Sequence, residues 1–242
     1  MSAADGQKAF HAAIRDRVFP QAYYFFGDED YLKEDAIQQL IAAAVDPATK
    51  DFNLDVRRGS DLDAESLESL LGTPPMMAER RVAVIRDVPA LSKPAREALN
   101  RWLERLAPDC LLILSAPAGA KADPALERRA FPVEWATLNA ERLPKWITYY
   151  VENTLSTTIT PDAARLLQEA VGSELAQLRL ELDKLASFAT GKLPIDAKAV
   201  SEVVGIRPGE TVSDLLDAIA QRLCVDGQLA GRETGQLVEL QP

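Results

Sequence analysis

The stretch Phe25-Phe-Gly-Asp-Glu-Asp-Tyr-Leu-Lys-Glu34 lies where a strand hands over to a helix, the position at which an α/β protein cradles phosphate. Phosphate binding there needs several glycines for close backbone approach, a lysine for charge and a hydroxyl for magnesium. This turn has a single glycine, Gly27, followed by Asp28, Glu29 and Asp30, which repel a triphosphate. Lys33 lies a turn too far into the helix to stand in for the missing lysine. Nucleotide hydrolysis is disfavoured, and no cofactor is expected.

The remaining polar candidates are weaker. His11 is the single histidine, and no serine or cysteine stands in a nucleophile motif, so it reads as a surface residue on a short helix. Asp28, Glu29 and Asp30 fit helix-start chemistry, with Asp28 as the N-cap. One histidine and two distant cysteines, Cys110 and Cys224, make no usual zinc site, so neither a metal nor a catalytic residue is assigned. Arg57-Arg58 and Arg80-Arg81 could meet at one sheet edge and touch phosphate; solvated strand ends are the commoner explanation of such pairs. Met76 and Met77 follow Pro74-Pro75 and precede Ala78-Glu-Arg-Arg81. Methionine is a common gap-filler in cores, which favours burial. The prolines and the polar residues after the pair favour a solvent-facing turn that presents two flexible apolar side chains to a partner. Both readings stay open on the residues alone.

These residues need elements to position them. A short helix is expected over 8–18, with Phe10, Ile14 and Val18 on one side. Ala22-Tyr-Tyr-Phe-Phe26 reads as a buried aromatic strand. A helix follows to about Val45, striped with Leu32, Ile37, Leu40 and Ile41 and closed by Pro47. Strands are expected at 52–56, 81–88, 110–114 and 133–138. Helices lie between them: one capped by Asp63 and carrying Leu67, Leu70 and Leu71, one capped by Ser92 with Pro94 in its first turn, and a short one over 121–130. Strands alternating with helices predict a mostly parallel five-stranded sheet with helices on both faces. Beyond about 140 the pattern turns helical, with helices near 141–154, 161–171, 174–190, 195–204 and 211–223. In the third of these, Leu175, Leu178, Leu182, Leu185 and Phe188 form a stripe ended by Gly191. The tail 224–242 carries spaced glycines and is expected to be frayed.

The totals agree with a globular chain. Its 242 residues are 47% apolar, enough for one large domain or two smaller ones with real cores. Net charge is −10, shared almost equally by 1–140 and 141–242, so neither part is a basic module that grips duplex by charge alone. No apolar run nears the roughly 20 residues that cross a bilayer, and the N-terminus has no secretory h-region. A reducing, cytoplasmic setting is expected.

Taken together, Tyr24-Phe-Phe-Gly-Asp-Glu-Asp-Tyr-Leu-Lys-Glu34, Asp51-Phe-Asn-Leu54, Pro75-Met-Met-Ala-Glu-Arg-Arg-Val-Ala-Val-Ile85 and Val171-Gly-Ser-Glu-Leu-Ala-Gln-Leu-Arg-Leu-Glu-Leu-Asp-Lys-Leu185 resemble the delta subunit of the bacterial DNA polymerase III clamp loader in order and spacing. The resemblance implies an AAA+/RecA-like α/β domain without a Walker A motif over 1–140, and a small all-α lid domain over 141–208. A truncated helical collar would begin at 209–242, since the tail is unlike the family's continuation. The resemblance further implies binding of the sliding clamp (beta) and opening of the ring for loading onto primed DNA. By position, Met76 and Met77 would enter a clamp pocket, flanked by Pro75 and Ala78. ATP hydrolysis would belong to partner subunits; gamma/tau and delta prime would be the other loader subunits, with DNA met only inside the complex. The alternatives are an active ATPase of similar fold, or a scaffold with no clamp contact whose methionines are core.

Overall fold

The computed structural model describes residues 3–189 and 194–204; the expected helix over 211–223, the expected tail, Gly191 and Cys224 lie outside the described residues. By contacts the chain forms two units, Met1–Thr137 and Leu138–Pro242.

In the first unit the strands are β1 (Ala22–Phe26), β2 (Leu54–Arg58), β3 (Arg81–Arg86), β4 (Cys110–Ser115) and β5 (Phe131–Glu134). They form one sheet in the order β2-β3-β4-β1-β5, with every neighbouring pair parallel. The period-2 pleat divides the apolar residues between two cores. Tyr24, Phe26, Ala83, Ile85, Leu112 and Leu114 face α4 (Ala64–Gly72), α5 (Lys93–Leu103) and α6 (Pro124–Arg129). Tyr23, Phe25, Val82, Val84, Leu111, Ile113 and Val133 face α1 (Ala3–Asp16) and α2 (Asp30–Ala44) through Phe10, Ile37 and Leu40. Helices therefore cover both faces.

Several boundaries differ from the sequence expectation, each for a physical reason. α1 stops before Arg17, which takes a left-handed φ of 53°, so Val18 is exposed rather than packed. α2 starts at Asp30 after Glu29; Asp28 does not cap it, because its carboxylate accepts from the Gly119 N–H at 2.9 Å. Phe52 and Asn53 belong to a single helical turn, α3 (Lys50–Asn53), and β2 begins only at Leu54, opposite Val82. β3 ends at Arg86 because Asp87 turns left-handed, with φ 53°. β5 begins at Phe131, earlier than expected, and includes Pro132. It is an edge strand, where a missing ladder donor is tolerated. It ends where β1 ends: Trp135 donates its N–H to Phe26 O at 2.8 Å, and no ladder remains beyond.

The second unit packs α7 (Leu143–Asn153), α8 (Pro161–Val171), α9 (Leu175–Phe188) and α10 (Ala197–Val204). Its buried residues include Ile147, Val151, Leu167, Leu178, Leu182, Leu185 and Val200. Thr160 caps α8 by accepting from the Ala163 N–H, with Pro161 in the first turn. Two features were not expected. Phe188 is about half exposed instead of completing the α9 stripe, and Ile159 and Ile195 form an isolated parallel bridge.

Asp63 caps α4, accepting from the Ser66 N–H at 2.7 Å, and hydrogen bonds from the Ser66 backbone and then its side chain hold its carboxyl below the usual range. A lowered folded pKa means that this contribution is present above the unfolded carboxylate pKa, near 3.9, and is lost as pH falls through the folded value. Asp63→Asn keeps a capping oxygen but cannot titrate. Its stability, measured by urea unfolding at pH 7 and pH 3, is expected to fall less on acidification than that of the wild type.

Candidate functional site

The two ends of a parallel sheet are chemically distinct, and this chain uses them differently. At the end where the strands begin, α4 gives way to Thr73-Pro74-Pro75, and residues 73–80 form a turn with no regular hydrogen-bond ladder before β3. The prolines supply no N–H. Asn53, wholly buried at the end of α3, holds the turn from below: its carboxamide accepts from Met76 N–H at 2.7 Å and donates to Met76 O at 2.8 Å and to Thr49 O at 3.1 Å. Met77 takes a left-handed backbone, φ 53°. The structure thus places both methionines outside the core, Met76 52% and Met77 88% exposed. Pro75 and Ala78 are half-buried beside them.

Other apolar groups are exposed in the segments that lead into the same strand ends: Val18 before β1 and Phe52 before β2. A cavity of about 570 Å³ behind the turn is lined by Phe19, Val45, Pro47, Met77, Ala78 and Arg80, among others. The Arg80 guanidinium lies over the Phe19 ring, 5.0 Å from its centroid. Arg81 donates to Phe52 O at 2.5 Å and pairs with the Asp55 carboxylate, which also holds Arg57 at 3.3 Å. Arg58 lies at the far end of β2, in register with Arg86. The four arginines therefore do not gather into one cluster. Arg57 and Arg81 share a carboxylate, Arg80 sits on an aromatic ring, and Arg58 is elsewhere.

At the opposite end, where the strands finish, the phosphate turn is closed by the protein itself. Gly27 has φ 104°, and any Cβ there would run into the Trp135 carbonyl. Glu29 N–H, one of the donors a phosphate would use, gives its hydrogen bond to Trp135 O at 3.0 Å. Lys33 is buried and folds back, donating to Gly27 O at 2.6 Å and Ala116 O at 2.8 Å while pairing with Asp30 at 2.7 Å. Asp28 and Asp30 accept from the Gly119 and Ala118 N–H groups. The lysine is thus a lock inside the turn, a role its sequence position did not reveal.

Burial lowers the His11 pKa against the raising pull of Asp35, and its ring packs on Phe10 and Trp135. Burial, followed by the charge of Asp109, pushes the Cys110 thiol up, away from reactivity. Among the described residues no group of three His, Cys, Asp or Glu could hold a metal ion, and no helix is long and apolar enough to cross a membrane.

The family model described as DNA polymerase III, delta subunit, matches residues 23–130. This segment is similar to the delta-subunit family. It contains both the Met76–Met77 turn and the closed Gly27 turn. DNA polymerase III subunit delta of Bacillus subtilis is 27% identical over 216 residues, covering 83% of this chain and 61% of that protein, so the chain spans less than two thirds of its relative's length. A replication factor C small subunit of Methanocella arvoryzae is 24% identical over 179 residues, 74% of this chain and 53% of the relative. Among solved structures, the Bacillus subtilis DNA clamp loader delta protein superposes with TM-score 0.67 at 23% identity, covering 99% of this chain and 73% of that one. The Thermotoga maritima RuvB Holliday junction branch migration motor superposes with TM-score 0.55 at 15% identity, covering 85% and 69%. The fold is thus the AAA+/RecA-like one that the delta resemblance implies.

Two signals are hidden in the sequence. Asn53 falls within an alternating run that reads as strand, and nothing local marks it as the brace of a turn 23 residues away. The same strand pattern hides the exposure of Phe52. For the closed turn, Lys33→Met leaves two carbonyls without their buried donor. A loss of about 1–3 kcal/mol in folding free energy is expected by urea unfolding, whereas an unchanged midpoint would show that the ammonium is not the lock.

Proposed function

We propose that this chain acts as a non-catalytic delta subunit of a replicative clamp loader, binding a ring-shaped sliding clamp through the Met76–Met77 turn. The observation that carries the reading is the 88% exposure of Met77 on a fixed turn within a delta-family segment. A folded domain does not gain by holding a large apolar side chain in water; transferring such a side chain into an apolar pocket contributes about 1.5–3 kcal/mol. Pro75 and Ala78 would flank the pair at the contact. Methionine suits a pocket that must be filled with some tolerance, because its chain is unbranched and its sulfur polarizable.

Ring opening would follow from binding alone. A ligand shifts an equilibrium only by its differential affinity, so the turn and its surroundings must favour the open interface over the closed one. ATP hydrolysis would be the work of gamma/tau-type partners, with delta prime completing the loader and primed DNA met inside it, in the cytoplasm. Residues 141–208 would serve as the lid domain. The closed Gly27 turn supports this division of labour over an ATPase of the same fold. Arg80 and Arg81, engaged with Phe19 and Asp55, support a structural role better than phosphate contact.

The test is the double variant Met76→Asp with Met77→Asp, assayed against a purified sliding clamp. Both side chains are exposed, so the thermal midpoint is expected to be unchanged. Charge in an apolar pocket is expected to weaken binding about a hundredfold or more. Wild-type affinity in the double variant would sink the docking assignment and leave the scaffold reading.

A further inference from the structure

We propose that Asn53 is the positioning residue of the docking turn: its buried carboxamide holds the Met76 peptide, and through it the left-handed Met77, in the one backbone arrangement that presents both methionines. The proposal rests on the clamp-docking reading above and extends it to a residue that touches no partner.

Asn53 is 0% exposed, and a buried amide persists only where its donors and acceptors are matched. Here the matching is with the turn. Met76 N–H can only donate, so the carboxamide oxygen must face it at 2.7 Å, and the NH₂ group then reaches Met76 O at 2.8 Å. The two bonds pair a side-chain amide with a main-chain peptide, as a strand neighbour would. The NH₂ group also reaches Thr49 O at 3.1 Å, which ties the pair to the start of α3. No other side-chain type of this size offers both an acceptor and two donors: aspartate keeps only the acceptor and sets a carboxylate against the Met76 and Thr49 carbonyls.

The turn needs such a hold. Pro74 and Pro75 contribute no donors, and residues 73–80 have no ladder of their own. Met77 sits at a φ of 53° that non-glycine residues rarely adopt, and which persists only where the surroundings over-determine it. Released from Asn53, the turn would sample other backbone states, and a partner would have to reorder it on binding. Affinity falls by the fraction of molecules in the competent state. The restraint also makes geometric sense: the carboxamide grips Met76, whereas the more exposed anchor is its neighbour, so the hold works through the backbone and leaves both side chains free.

The experiment uses the full chain and a purified sliding clamp, with Asn53→Ala and Asn53→Asp as variants and Met77→Ala as the background for a double-mutant cycle. Amide hydrogen exchange is followed across 73–80, with β1 and β4 as internal references. Asn53→Ala is expected to lose protection at the Met76 amide while the strand amides keep theirs. It is expected to bind the clamp about tenfold more weakly, or about 1.4 kcal/mol. In the Met77→Ala background the same change is expected to cost much less, because the side chain it positions is gone; a general loss of structure would cost the same in both. Should Asn53→Ala fail to fold, Asn53→Asp, of equal volume, is expected to fold and to show the same weakened binding, again smaller in the Met77→Ala background, while its Met76 amide keeps part of its protection because the acceptor is retained. Loss of Met76 protection with wild-type affinity would overturn the positioning role while leaving clamp docking intact. Equal losses in the two backgrounds would also overturn it. A wild-type chain that binds no clamp would remove the docking reading, and the positioning role with it.

Discussion

The parallel pairing of β1 with β4 on one side and β5 on the other is the constraint on which the first unit depends. β1 is five residues long and buried along its whole length. Its four aromatic rings alternate, Tyr23 and Phe25 to one core, Tyr24 and Phe26 to the other. A strand so loaded has no face that water can occupy, so helices must close over both sides. Tyr23 and Phe25 stack, as do Tyr24 and Phe26, and Phe10 from α1 meets the first pair edge-on. The two ends of this strand then fix where chemistry can occur. Ahead of it lie the segments bearing Val18 and Phe19; behind it lies Gly27.

Those two ends have diverged in opposite directions. The finishing end, where backbone amides and a helix start could receive an anion, is turned inward: carbonyls face an ammonium, carboxylates face amides, and the Trp135 peptide lies across the glycine. The starting end is turned outward. There the chain leaves apolar side chains in water and uses a buried polar group, Asn53, to keep them there. The inward end uses polar groups to satisfy each other; the outward end uses one polar group to shape a surface.

Much of this is legible in the residues. Short, almost wholly apolar runs mark β1 and β4, and an alternating run rich in β-branched residues marks β3, because a strand buried on both faces has few alternatives. The caps at Asp63, Ser92 and Thr160 are equally plain, since a capping side chain acts within three residues and the signal is local. The lack of phosphate-binding residues in the Gly27 turn is legible too. What is not legible is long-range. Asp28 looks like a helix cap and instead serves a loop about ninety residues on. The start of β2 is set by where β3 begins, and the end of β5 by where β1 stops; neither limit is written in the strand itself. Whether Met76 and Met77 lie in or out is undecidable from composition. The answer depends on Asn53, which the alternating pattern absorbs into a strand.

The lock at Gly27 has a consequence for how this chain could change. Freeing the turn by altering Lys33 alone strands two carbonyl oxygens; altering Asp28 or Asp30 alone strands the amides of residues 118 and 119. Admitting a nucleotide would also require the main chain at Trp135 to move aside. Each step taken singly lowers stability before any new binding compensates, so an open, anion-receiving turn is separated from the present one by a valley rather than a slope.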